Sequence, residues 1–357
     1  MAGAYRARKL VGTVARLSAA NRWGASRSWI AVLFHHISSN GAERNTHSFV
    51  DGLGVTMEQD AFINCMRHLA RRYEVVAFAE LLSFVRRGSP RTKVPARRRV
   101  LICFDDAYAS VVDLAAPVLA ELGLPWCFFV NPNLVGNSVL AADNAAAYVA
   151  NTHGLDPLIR AAGRPVSSVS DFIHHQFTAC TPAQRRKLIS HLLDDVRIDP
   201  HEVAREARLY VEASDIRRLA DAGVEIGNHT ADHVYCRTLD EESVNEQVLD
   251  SARAVAALSG RPVRGFAYPY GNRMDRTALV TRALRMSGHE CAFLVHNRAN
   301  TACTDPWGFY RISLSSGDPR ILAAELEIQP RIRTARATLK DATRRAWSIG
   351  SAAIRAE

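Results

Sequence analysis

Val100-Leu-Ile-Cys-Phe-Asp-Asp106 decides how this chain of 357 residues is read. Five apolar residues rich in β-formers, preceded by Arg97-Arg98-Arg99, run without a polar break into two adjacent carboxylates. An apolar run of this length predicts a strand buried on both faces, as in a parallel sheet. Two ionised side chains inside such a core would be costly without a cation or a metal. At the carboxyl end of a parallel strand they face instead the crevice where α/β proteins place their chemistry. An isolated Asp-Asp is as well an ordinary acidic strand end. The other pair, Asp194-Asp195, lies in the helical-looking stretch 184–197 and suits that plain reading.

Two later stretches separate the readings. Val224-Glu-Ile-Gly-Asn-His229-Thr-Ala-Asp-His233 is a short strand pattern that delivers two histidines four residues apart. Arg264-Gly-Phe-Ala-Tyr-Pro269-Tyr-Gly271 is a second strand ending in a turn signal. With 13 histidines in the chain, a His-x-x-x-His pair by itself is weak evidence for a metal site. In this order, each after a strand, the three stretches together resemble the polysaccharide deacetylase family (the NodB-homology domain, carbohydrate esterase family four). Phe104-Asp105-Asp106 is similar to the family's Thr-Phe-Asp-Asp motif, with Ala107 where a glycine is usual. His229-Thr230-x-x-His233 matches its His-Ser/Thr-x-x-His motif, and Arg264 with Pro269-Tyr270-Gly271 matches its Arg-x-x-x-x-Pro motif. The resemblance spans roughly Trp29 to Leu314.

One carboxylate and two neutral imidazoles hold a divalent metal by three protein ligands and leave a position open for water, as catalytic zinc is held. The resemblance implies that these ligands are Asp106, His229 and His233, with Zn²⁺ as the expected ion and Co²⁺ or Ni²⁺ as alternatives. It implies that Asp105 is the base for the attacking water, a role that needs a carboxylate free of the metal. It further implies that Arg264 holds Asp105 ionised, that the backbone N–H of Tyr270 stabilises the oxyanion, and that Tyr268 and Pro269 contact substrate. Two family elements are missing. The Asp-x-x-Asp-Trp motif has no clear match, since Asp305-Pro-Trp307 is a poor substitute and Asn297 follows the strand where the motif is expected. The closing Leu-x-His, whose histidine protonates the leaving amine, is also absent, because no histidine follows His296. Some bacterial exopolysaccharide deacetylases of the family have a circularly permuted barrel in which that element opens the domain. Leu33-Phe34-His35 fits such a permutation, making His35 the expected general acid and turning His36 away from the site.

Taken in order, residues 1–28 read as a basic arm and 29–318 as the domain, with strands at 29–34, 100–104, 125–130, 224–228, 264–268, 291–295 and 309–314. Tyr73–Phe78 is also strand-like, Thr56 reads as the cap of a helix to Arg72, and Ser214 as the cap of a helix to Ala222. Residues 131–213 contain helical patterns and little strand character, and read as an insertion on the catalytic rim. Repeated strand–helix alternation predicts parallel strands with right-handed crossovers, hence an α/β fold. About seven such units, and the resemblance, point to a distorted (β/α) barrel.

Charge is concentrated at the ends. Residues 1–27 carry +6 and 331–355 carry +6 of the total +9, leaving −3 for the rest, so a nucleic-acid-binding core is not indicated. The basic ends, the second forming a helical tail within 319–357, are expected either to be solvated or to touch an anionic membrane face. Seven cysteines with no Cys-x-x-Cys pair are not a disulfide framework and favour a reducing compartment. Arg16 interrupts the amino-terminal apolar stretch before it reaches signal-peptide length, so a cytoplasmic protein, near the inner membrane face, is expected. The combined expectation is a hydrolase removing N-acetyl groups from amino sugars of a bacterial glycan or its lipid-linked precursor. An amidase on a small nitrogenous compound is the alternative within enzymes, favoured by a closed pocket under residues 131–213. A catalytically inactive glycan-binding protein is the third reading, opposed by the retention of Asp105 beside the three ligands.

Overall fold

The computed structural model describes residues 28–39, 44–87 and 97–330. Its frame is seven strands in chain order: β1 (Ser28–Phe34), β2 (Arg99–Phe104), β3 (Cys127–Val130), β4 (Glu225–Asn228), β5 (Gly265–Ala267), β6 (Cys291–Val295) and β7 (Phe309–Ser313). Each pairs in parallel with the next. The last strand, β7, returns to β1 through Ala31–Arg311, Val32–Ile312 and Leu33–Ser313. The sheet is therefore closed, a distorted (β/α) barrel. The distortion is visible at the closure, where Ser28 and Trp29 pair antiparallel with Asn300-Thr301 before β7 takes over.

Both faces of these strands are buried, which explains runs without polar alternation. In β2, Val100, Ile102 and Phe104 pack outward under the helices, while Leu101 and Cys103 point into the bore. Ala31, Cys103, Cys127, Ala267 and Cys291 keep that bore roomy. Arg311 shares the inward parity of Phe309 and is completely buried within it, its guanidinium 5.6 Å from the Phe129 ring centre. All seven cysteines are free thiols, and Cys103 and Cys127 lie sulfur to sulfur at 3.4 Å.

Helix starts differ from the sequence reading in two places. Thr56–Glu58 is a short strand beside His36–Ser38, and the helix runs Gln59–Arg72 with Glu58 at its cap position. Thr56 spends its hydroxyl on His36 Nδ1 at 3.3 Å, which removes it as a cap. Helix Ala213–Asp221 is capped by Glu212 in a reciprocal pair with Asp215, so Ser214 lies inside the helix. The strand-like stretch from Tyr73 shrinks to Glu74–Val75, because Phe78 already opens helix Phe78–Arg87.

The helices that matter for the site are α1 (Arg44–Val50), α2 (Ala142–His153), α3 (Val169–Phe177) and α4 (Pro182–Asp195). The last three belong to span 131–213, which also holds helices Asp156–Ala162 and Pro200–Ala207. No described helix is long and apolar enough to cross a membrane. The basic stretches 1–27 and 331–355, on which the membrane expectation rests, lie outside the described residues.

Candidate functional site

Strand parity delivers the site. The inward rows Leu101–Cys103, Ala31–Leu33 and Gly227 continue past the carboxyl ends of β2, β1 and β4 as Asp105, His35 and His229. The Asp105 N–H donates to Phe34 O at 3.1 Å, holding the β1 and β2 ends in step. The chain then turns sharply. Asp106 (φ 74), Ala107 (φ 57), Thr230 (φ 64), His233 (φ 55) and Tyr270 (φ 59) are all left-handed. They are five of the nine non-glycine residues with positive φ among the described residues, so backbone strain gathers here, as it does at functional sites. Ala107 shows why a glycine is usual at its position. Gly271 is required as well, since a Cβ there would meet Val295 at 2.4 Å.

Asp106 Oδ1 lies 3.2 Å from His229 Nε2 and 3.4 Å from His233 Nε2. Each imidazole is oriented by its other nitrogen, His229 Nδ1 meeting Ala267 O at 2.7 Å and His233 Nδ1 meeting Asp143 Oδ2 at 2.6 Å. Both Nε2 atoms are thereby turned toward Asp106, whose Oδ1 is buried without a hydrogen-bond partner among the described residues. The site calls for a cation. Burial alone would raise the Asp106 carboxyl, but the imidazoles of His233 and His229 hold it below the ordinary carboxylate range. Burial likewise opposes charge on His233, and the carboxylates of Asp106 and Asp143 raise it nonetheless. Three ligand atoms within 4.8 Å of one another, of mixed imidazole and carboxylate type, fit a divalent metal such as zinc.

Residues from the helical span complete the surroundings. Asp143 of α2, 7% exposed, also accepts from the Tyr270 hydroxyl at 2.8 Å. Arg185 of α4 donates to His233 O at 2.7 Å and to Asp232 O, tying down the turn that presents His233. Neither was singled out from the sequence. The available signal was an Asp-Asn pair inside an otherwise alanine-rich stretch, 141–147. A carboxylate behind a metal-binding imidazole fixes its tautomer and raises its basicity. Asp143→Ala should therefore weaken Zn²⁺ binding about 10–100-fold. Competition with a chromogenic chelator measures this, and unchanged affinity would leave Asp143 with no orienting role.

His35 lines the cavity beside Asp106, and burial lowers its pKa against the opposing pull of Asp106 and Asp105. His36 faces the other way, edge-on to Tyr108 with ring centres 5.4 Å apart. Arg264 is not at the site. It precedes β5, at the amino-terminal rim of the barrel, and pairs through Nε with Glu225 Oε1 at 3.1 Å and through Nη2 with Oε2. Asp105 is held instead by Arg311, whose Nη1 donates to Oδ1 at 2.7 Å, both side chains being buried. An arginine inside an otherwise apolar strand pattern was the missed signal. Tyr268 does not face substrate either. It lies in an apolar cluster outside the bore with Phe266 and Val280, its hydroxyl on Trp307 O at 3.2 Å. Pro269 is buried and does not line the cavity. Asp305 caps Trp307 N and pairs with Arg276, so it braces nothing at the site.

None of the curated proteins matches the chain. Solved structures share its fold. A Streptococcus pyogenes deacetylase, PplD, in complex with acetate, is 11% identical with a TM-score of 0.54, over 84% of this chain and 98% of that one. A polysaccharide deacetylase from Bacillus cereus is 12% identical with a TM-score of 0.51, over 84% of this chain and 69% of that one. IcaB from Ammonifex degensii is 16% identical with a TM-score of 0.50, over 84% of this chain and 97% of that one. The family model described as polysaccharide deacetylase matches residues 92–289, a span that includes Asp105, Asp106, both histidines and Tyr270 but neither His35 nor Arg311. More than half of its length being so matched, the chain belongs to the polysaccharide deacetylase family.

Proposed function

We propose that the protein is a metal-dependent hydrolase that removes the acetyl group from an N-acetylated amino sugar. The observation that carries this reading is the division between the two carboxylates. Asp106 Oδ1 faces two imidazole nitrogens without a hydrogen-bond partner, while Asp105 is held on the bore side by Arg311. When bound by Asp106, His229 and His233, a divalent metal would acidify a water and polarise the amide carbonyl. Asp105 takes the proton of the attacking water, and Arg311 keeps that carboxylate aimed beforehand. The Tyr270 backbone N–H is the expected donor to the oxyanion. His35 gives the departing nitrogen its proton. Burial lowers the pKa of His35 against the pull of Asp106 and Asp105, which favours release of that proton to the amine. One water is consumed, and acetate and the amine in its protonated form are produced.

The direct test is acetate release by the metal-reconstituted protein from N-acetylglucosamine oligomers, N-acetylated sugar lipids and O-acetyl xylan. Release from the first two classes supports the reading, and release from none sinks it. The role of His35 has its own signature. His35→Gln should slow an amide substrate by about 10²–10⁴-fold, yet barely affect an activated ester whose leaving group needs no proton. Metal content should stay unchanged. If His36→Gln shows that pattern and His35→Gln does not, the two histidines have been interchanged.

A further inference from the structure

The cavity at the cluster has a volume of about 240 Å³. His35, Asp106 and His233 form its reactive part, and Leu53, Val55 and Ile173 contribute apolar wall. That wall has two origins: the segment after α1, and helix α3 of the helical span. The two regions are tied together. Asn144 of α2 donates to Phe49 O at 2.8 Å, and Asn151 donates to Ser48 O at 2.9 Å and Asp51 O at 3.2 Å. The rings of Phe49 and Tyr148 stack at 4.4 Å. An internal residue of a long polymer needs an exit for the chain on each side. Here α2 is joined to α1 by side chains that bind the backbone of residues 48–51, so one flank of the site is bridged. The volume is below the roughly 300–1,000 Å³ of pockets that take larger ligands, and suits one sugar ring with its acetamido group.

We infer that the site takes a single N-acetylated sugar residue, presented at a chain end or on a small carrier, and not an internal residue of a long polymer. This rests on reading the site as a deacetylase. The apolar residues meet the C–H face of the ring and the acetyl methyl. Ser170 and His174 line the same cavity and offer polar groups to ring hydroxyls.

The test compares the monomer, dimer and pentamer of N-acetylglucosamine with the zinc-loaded full chain, following acetate and mapping products by mass spectrometry. The expected result is a kcat/KM that does not grow with chain length, and one acetyl lost per chain, from a terminal sugar. An extended groove would instead raise kcat/KM about tenfold for every 1.4 kcal/mol of added subsite binding, with several acetyls lost from internal positions. That outcome would overturn the inference while leaving the deacetylase reading intact. Acetate from no member of the series and from no N-acetylated sugar lipid would overturn both.

Discussion

An Asp105→Asn variant should hydrolyse an N-acetylated saccharide about 10²–10⁴-fold more slowly than the unaltered protein, with the same metal content. The amide is isosteric and its oxygen can still accept from Arg311, so the ligand set is preserved while the carboxylate is lost. Asp106→Ala and His233→Ala should behave in the opposite way, folding normally but retaining little metal, because three protein ligands cannot spare one. Elemental analysis beside steady-state rates separates the cases. Metal lost from Asp105→Asn and kept by Asp106→Ala would mean that the two carboxylates exchange roles.

The second large effect is on stability. Arg311→Met should cost about 3–5 kcal/mol, because it leaves the Asp105 carboxylate buried without its cation. Urea unfolding measures the loss. The double variant Asp105→Asn/Arg311→Met should recover much of it, since the stranded charge goes with its partner. Arg264→Met provides the contrast. Its ion pair with Glu225 is at the rim, the arginine side chain 33% exposed, so the change should cost no more than about 1 kcal/mol and leave turnover near normal. Equal losses for the two arginines would contradict the assignment of Arg311 as the residue that holds Asp105.

The barrel was legible because its strands are buried on both faces. Continuous runs such as Val100–Phe104 and Cys291–Val295 have few other homes, and the polar residues that interrupt them stand out at the strand ends. Asp105 and Asp106 stood out at a strand end, while the roles of His35, His229 and His233 came from the motifs of the resemblance, and the structure brings all five to one end of the bore. Arginines were harder. Arg264 sits at motif spacing, yet the residue that opens a strand lies at the opposite rim from the residue that ends it. Arg311 reads as a misplaced charge until β7 is known to close on β1, beside the strand that carries Asp105. Asp143 was hidden by distance, since nothing local indicates that a helix 90 residues before His233 will support that imidazole. Thr56 failed for a competing partner, its hydroxyl being taken by His36.

Closure through the last strand also bears on how the protein is made. Asp105 and Arg311 are 206 residues apart, and ribosomes add about 5–20 residues per second, so Asp105 precedes its cation by roughly 10–40 s. Asp106, His229 and His233 are all synthesised before then, and Arg311 follows them. A chain interrupted before β7 would keep Asp106, His229 and His233 but lack both the closing strand and the charge that stabilises Asp105 in the bore. Such a product should be cut by proteases faster than the closed barrel. Closure of the barrel and the charge partner of Asp105 thus arrive on the same strand.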